Sequence, residues 1–204
     1  MLCHVKSACA LALFATLLVS AACSSGPSNP KVPAGAKSSG GQHATIETDK
    51  GKIEIEFLAE QQPKAVEIFR LLAEHGYYDG LTFHRIVKGF MVQGGDPTGD
   101  GTGGESAWGA AFADDIDPNS PLYRDGYRRG VLAMANSGPN TNGSQFFIMH
   151  DDYPLPPRYV IFAKVTSGMD VVDALAAVQT TMNDGGEKSR PVTTVKMNKV
   201  SVRP

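Results

Sequence analysis

Beyond residue 43 the apolar residues of this chain come in short runs broken by glycine-containing turns, and that spacing excludes most folds. Residues 45–48 and 52–57 alternate apolar and polar positions on either side of Asp49-Lys50-Gly51, which predicts two half-buried strands joined by a tight hairpin. Further short runs at 81–87, 90–93, 130–135, 145–149 and 159–165 read as strands, and 195–202 alternates again as a closing strand. Helical spacing occurs in two places. Pro63 opens one segment, with Val66, Phe69, Leu72 and Ala73 on one face and Gly76 at its end. The other runs over 168–178, with Val171, Leu175 and Val178 on one face and Ser167 and Asp170 spaced as a capping pair. Many short strands with two helices predict an antiparallel barrel or sandwich, not a parallel βαβ sheet. The 22 glycines and 13 prolines supply the turns.

A length of 204 residues allows one domain with a sizeable core plus a leader. A formal net charge of -2 argues against a nucleic-acid binder. The three cysteines, Cys3, Cys9 and Cys23, fall before the domain, which therefore has neither a disulfide nor a thiolate metal site. His43, His75, His84 and His150 lack metal-ligand spacing, so neither metal nor cofactor is expected. The glycines of 99–104 match a dinucleotide fingerprint, but no helix pattern follows them; they read as a loop that turns sharply or approaches a ligand. Asn142-Gly143-Ser144 is a glycosylation sequon, discounted beside a bacterial-type leader, and Asp114, Asp115 and Asp117 read as a solvated acidic turn rather than a calcium loop.

The N-terminus carries Lys6, then an uncharged run over 8–22 that is too short to span a bilayer, which takes about 20 apolar residues, but fits the core of a signal peptide. It ends Val19-Ser20-Ala21-Ala22-Cys23, which resembles the lipobox of bacterial lipoproteins, with Ser20 where leucine is commonest. Two outcomes stand: lipidation of Cys23, or ordinary secretion with a free thiol there. Residues 24–41 are rich in Ser, Gly, Pro, Lys and Ala, which predicts a flexible tether. The expected organisation is a leader at 1–22, a lipidated cysteine and tether at 23–43, and a domain at 44–204.

Two stretches, Phe83-His84-Arg85-Ile86-Val87-Lys88-Gly89-Phe90-Met91-Val92-Gln93-Gly94-Gly95-Asp96 and Met134-Ala135-Asn136-Ser137-Gly138-Pro139-Asn140-Thr141-Asn142-Gly143-Ser144-Gln145-Phe146-Phe147, resemble the two signature segments of the cyclophilins, in the family's order and at about its separation. The resemblance extends over roughly 44–204. It implies a mainly β fold, a closed eight-stranded antiparallel barrel capped by two helices, and peptidyl-prolyl cis-trans isomerase activity in the form of a bacterial lipoprotein. The chemistry asked of such an enzyme is limited. An X-Pro amide resists rotation by about 18–20 kcal/mol, and uncatalysed exchange takes tens of seconds or more. Bringing it into milliseconds takes roughly 10⁴-fold, or about 5.5 kcal/mol. A hydrogen-bond donor aimed at the amide nitrogen favours the twisted state over either planar one.

By resemblance, Arg85 is that donor, and its fixed charge needs no tuned pKa. Gln93 would hold Arg85 or the substrate carbonyl. Phe90, Met91 and Phe147 would receive the proline ring, Asn136 would bond substrate backbone through its main chain, and Gln145 would line a neighbouring groove with Ala135 and Gly101. Many cyclophilins carry a tryptophan and then a histidine where this chain has Tyr153-Pro154-Leu155-Pro156-Pro157-Arg158-Tyr159; Leu155 keeps the family's leucine and Tyr159 stands for the histidine. The tryptophan is associated with cyclosporin binding, so weak inhibition is expected. Ser137 replaces a common alanine, and Lys88 a common proline. The expected partners are proline-containing segments of exported proteins and, through the lipid, the cell envelope, with a monomeric chain; a soluble secreted protein is the alternative. A tethered module that grips proline segments without turnover is the rival class, and Arg85 argues against it.

Overall fold

The structure is a computed structural model and describes residues 31–204. The leader expected at 1–22 and the lipidation expected at Cys23 lie outside the described residues. β1 (His43–Thr48) and β2 (Gly51–Phe57) form the expected hairpin, in register from His43 opposite Glu56 to Thr48 opposite Gly51. Thr48 ties the turn: its Oγ accepts from the Lys50 N–H at 3.0 Å and donates to the Gly51 carbonyl at 2.9 Å. Ile53, Ile55 and Phe57 are buried, while Glu54 and Glu56 between them are half-buried and Lys52 is exposed, the period of two that the sequence announced. β3 (Arg85–Val87), β4 (Met91–Gly94), β5 (Val131–Met134), β6 (Phe146–Met149), β7 (Ile161–Ser167) and β10 (Met197–Arg203) complete one antiparallel eight-stranded sheet, in the order β10-β1-β2-β7-β5-β6-β4-β3.

The sheet is a curled, open half-barrel, which corrects the expectation of a closed barrel. Its edge strands, β10 and β3, share no ladder. β3 has only three residues, and the chain ahead of it meets the start of β10 through one bridge, Thr82 with Lys196, and bonds such as Gly80 N–H to Met197 O at 2.7 Å and Phe83 N–H to Val195 O at 3.0 Å. A second, two-stranded sheet, β8 (Thr180–Met182) with β9 (Lys188–Pro191), packs beside β3; the hydrophobic pattern gave no sign of it.

Two of the helices are the expected ones. α1 (Pro63–Glu74) opens on its proline and buries Val66, Phe69, Leu72 and Ala73 within the curl of the sheet. α3 (Met169–Ala176) starts from Gly168 at φ 91°, without a side-chain cap. The expected Ser167–Asp170 capping pair is therefore absent: Ser167 is the last residue of β7, and a Cβ at Gly168 would collide with the Lys52 carbonyl. A third, short helix, α2 (Pro121–Asp125), is capped by Ser120. The tether expected over 23–43 is described only from residue 31 on. There Ser38 bonds Glu67 of α1 through its N–H (3.1 Å) and Oγ (2.5 Å), Ser39 bonds Glu74 through its N–H (3.0 Å), and Val32 packs on the core.

Alternation along the central strands splits their side chains between two clusters. Val92, Leu132, Met134, Phe146, Ile148 and Phe162 face the interior, while Met91, Ala133, Phe147, Met149 and Ile161 face outward into a second cluster with Tyr123 and Tyr127. Phe69 is the hub of the interior. Its ring lies 4.8 Å from Tyr78, 5.1 Å from Phe162, 5.3 Å from Phe146 and 5.7 Å from Phe57, and none of it is exposed. Replacing Phe69 by Ala should cost about 3–5 kcal/mol, read as a lower urea midpoint with an unchanged m-value.

Candidate active site

The outward face of the sheet carries one row of residues in register. Arg85 on β3 stands opposite Gln93 on β4, Gln93 opposite Phe147 on β6, and Phe147 opposite Ala133 on β5. Met91, two residues before Gln93, shares that face. Next to this row lies a cavity of ≈ 270 Å³ that brings together Arg85, Phe90, Met91, Gln93, Gly101, Ala135, Asn136, Phe147, Leu155 and Tyr159. Ser137 and Gln145 are not in it; they line an adjoining cleft of ≈ 150 Å³ that shares Gln93, Gly101, Ala135 and Asn136.

The apolar walls hold one another. Phe147 meets Tyr159 edge to face at 5.4 Å, and Phe90 packs on Tyr153 at 4.4 Å. Tyr159 is fixed through its backbone, its carbonyl accepting from the Tyr127 hydroxyl at 2.8 Å and its N–H donating to the same oxygen at 3.1 Å. Burial pushes the Tyr127 hydroxyl up to about 12, so it stays protonated and able to donate.

The polar side is one connected chain. Arg85 donates from Nη1 to Gln93 Oε1 at 3.1 Å, Gln93 Nε2 donates to Gln145 Oε1 at 2.9 Å, and Gln145 Nε2 donates to the carbonyls of Gly103 at 2.7 Å and Gly101 at 3.1 Å. The Arg85 guanidinium also lies 5.9 Å from the centre of the Phe90 ring, within cation–π range. Asp96, 1% exposed, anchors the 99–104 loop by accepting from the N–H groups of Thr98 at 2.9 Å and Gly101 at 2.6 Å. Burial raises its pKa, but the bond from the Thr98 hydroxyl at 2.8 Å and these N–H groups outweigh it and hold the carboxyl below the usual range. Gly103 must be glycine here, because a Cβ would sit 2.5 Å from Asp96 Oδ1. The glycine-rich stretch is thus a loop folded over a buried carboxylate.

The Asn136 side chain is committed to structure, donating to the Arg158 carbonyl at 2.9 Å and Asn142 Oδ1 at 3.3 Å. Asn142 of the sequon is wholly buried, with Nδ2 donating to Asp114 Oδ1 at 2.7 Å and Phe112 O at 3.1 Å, so it offers no acceptor for a glycan. The same bond ties Asp114 into the fold rather than leaving it in a solvated turn. Among the described residues no three His, Cys, Asp or Glu side chains gather as a metal site.

Sequence reasoning missed several residues. His84 lines the cavity with neither ring nitrogen hydrogen-bonded; burial lowers its pKa and keeps it neutral at pH 7. Asn183, Ser189 and Arg190 of the β8–β9 hairpin also line the cavity, and Glu187 from its turn pairs with Arg85. Asn183-Asp184-Gly185-Gly186 could have signalled a turn, but nothing local said which wall it would face. Trp108, the sole tryptophan, is 55% exposed and lies by 31–36, away from the cavity.

Comparison with known proteins agrees with this geometry. The model of the family described as cyclophilin type peptidyl-prolyl cis-trans isomerase matches residues 43–202. Peptidyl-prolyl cis-trans isomerase 9 of Schizosaccharomyces pombe is 48% identical over 163 residues, 79% of this chain but 25% of that longer protein, so the chain spans about a quarter of its length. A peptidyl-prolyl cis-trans isomerase of Arabidopsis thaliana is 46% identical over 162 residues, covering 78% of this chain and 94% of its own length. The crystal structure of a cyclophilin type isomerase from Cryptosporidium parvum superposes with a TM-score of 0.72 at 38% identity, covering 80% of this chain and 98% of that one. From the paired signature stretches, the curled sheet and these relatives together, the chain belongs to the cyclophilin family and is a peptidyl-prolyl cis-trans isomerase.

Proposed function

We propose that this isomerase works without covalent chemistry, through Arg85, on X-Pro bonds of exported proteins at a membrane surface. The carrying observation is a fixed cation at the rim of an apolar cavity: Arg85 is bonded to Gln93 at 3.1 Å and borders Phe90, Met91, Phe147, Leu155 and Tyr159. The apolar floor suits a pyrrolidine ring. Once the ring is seated, the guanidinium can donate to the amide nitrogen as its lone pair localises, while Gln93 and the main chain of Asn136 hold the flanking peptide. Gln145, Ser137, Ala135 and Gly101 then shape the groove for neighbouring residues. A related Cryptosporidium parvum structure was determined in the presence of the dipeptide Ala-Pro, which supports an X-Pro ligand for a site of this kind.

The setting rests on the sequence. The leader, the small residues ahead of Cys23 and the low-complexity stretch after it suit a lipid-anchored protein of the bacterial envelope, on the outer face of the inner membrane or the periplasmic face of the outer one. With no tryptophan in the 153–159 stretch, cyclosporin should inhibit weakly. A binding module without turnover would share the pocket but have no need of a donor over the amide nitrogen.

Isomerisation of a proline tetrapeptide by the full chain in detergent should be fast, and Arg85→Ala should lower kcat/KM at least about tenfold. A folded parent no faster than buffer would leave the binding module as the reading. The rate should be nearly flat from about pH 6 to 8.5. Burial lowers the His84 pKa from 6.5, which favours its neutral form over that window, and the bond from Arg85 lowers that of Glu187 from 4.5, so it stays anionic there. A bell centred near pH 7 would instead point to a histidine. Palmitate labelling of the full chain in a bacterial host should be lost in Cys23→Ala, with the protein moving to the soluble fraction; a variant that stays labelled would refute the anchor.

A further inference from the structure

One wall of the cavity comes from the β8–β9 hairpin, and its turn is built around a side chain. Asn183 Oδ1 accepts from the N–H groups of Gly185 at 3.0 Å and Glu187 at 2.8 Å, and Asn183 Nδ2 donates to Ser189 Oγ at 3.2 Å. Ser189 is 1% exposed, which fixes the base of the turn, and Gly186 at φ 81° lets the chain reverse. The turn presents Glu187, whose two carboxylate oxygens accept from Arg85 Nε at 2.7 Å and Nη2 at 2.8 Å. Two parallel bonds on one edge of a guanidinium are the geometry of the strongest arginine–carboxylate pairs.

The opposite side of the guanidinium faces the site. Nη1 is the nitrogen that bonds Gln93 Oε1 at 3.1 Å and approaches Met91 Sδ to 3.9 Å. A single bond to Gln93 is a pivot, about which a side chain one-third exposed can still swing. A second grip on the far edge sets the plane. Glu187 does not itself line the cavity, so it holds the arginine from outside the space that a proline would fill.

We infer that Glu187 is a positioning residue, which fixes the plane and reach of the Arg85 guanidinium so that Nη1 faces the cavity, and that the β8–β9 hairpin serves the site by presenting it. The inference rests on the Arg85-centred reading above. The hydrogen-bond chain then has two ends, Glu187 and the 99–104 backbone, with Arg85, Gln93 and Gln145 aligned between them. The opposite role, a clamp that withholds the arginine from substrate, would require the carboxylate to engage the cavity-facing nitrogen, and it engages the other edge.

The test is steady-state kinetics on a proline tetrapeptide with the full chain in detergent. Glu187→Gln keeps the side chain's size but loses the charge and one acceptor. It should lower kcat about three- to tenfold with KM within about twofold, since partial exposure keeps the pair weaker than a buried one. Glu187→Asp should recover part of that loss. Asp184→Asn removes the same charge from the same turn and should leave the rate within about twofold. In an Arg85→Ala background, Glu187→Gln should cost nothing further, because it acts only through the arginine. An unchanged or faster Glu187→Gln enzyme overturns the inference, the faster one in favour of a clamp. An equal loss in Asp184→Asn, or the same loss without Arg85, overturns it in favour of a general field or a structural effect. If Arg85→Ala keeps the full rate, the Arg85 reading fails and the inference falls with it; a slow Arg85→Ala beside a normal Glu187→Gln sinks the inference alone.

Discussion

Successive side chains of a strand leave opposite faces of the sheet, and in the central strands both faces are apolar. That constraint organises the molecule. Val92, Phe146 and Ile148 enter the Phe69-centred interior, while Met91, Phe147 and Met149 point outward. An outward apolar face must be covered or used. The α2 loop covers part of it with Tyr123 and Tyr127, and the remainder is the floor of the cavity. Core and site are therefore two sides of the same few residues, and their register is shared. A slip of one residue in β4 would send Met91 and Gln93 inward and expose Val92.

The electrostatics of the site follow a similar economy. It combines an arginine with a carboxylate whose pKa the arginine's bond lowers, beside a histidine whose neutral form burial favours. Asp96 is the largest buried anion nearby, and its cost is offset by backbone N–H groups of the loop that it folds. The glycines of 99–104 have separate reasons: a Cβ at Gly103 would meet Asp96, while Gly99, Gly101 and Gly104 take positive φ values of 71°, 93° and 103°. The polar chain from Glu187 to Gly103 lies along one rim, leaving the floor apolar, a division suited to holding a ring while a bond beside it turns.

The differences from expectation have common physical causes. A barrel closes only when its edge strands pair, and β3 and β10 share no ladder; the seam is instead bridged by the residues before β3 and flanked by the β8–β9 hairpin. The start of α3 is decided by the approach of the β2 backbone to Gly168, not by the capping letters around it. Residues 31–42 have the composition of a tether, yet Ser38 and Ser39 bond Glu67 and Glu74 of α1. In each case a tertiary contact overrode a local preference.

Local physics in the sequence was enough to determine the strands of the hairpin, the helix beginning at Pro63 and the mainly β class, since period and turn chemistry are properties of neighbours along the chain. The two signature stretches also carried the family, and with it most of the residues that line the cavity. The sequence could not say that Ser137 belongs to the adjoining cleft, that the His84 ring nitrogens are buried without a hydrogen-bond partner, or that Glu187 reaches across about a hundred positions to grip Arg85. Those facts depend on the curl of the sheet and on where a separate hairpin packs against its edge. Such long-range packing leaves no periodicity in the chain, and only the folded structure brings the two groups within 2.7 Å.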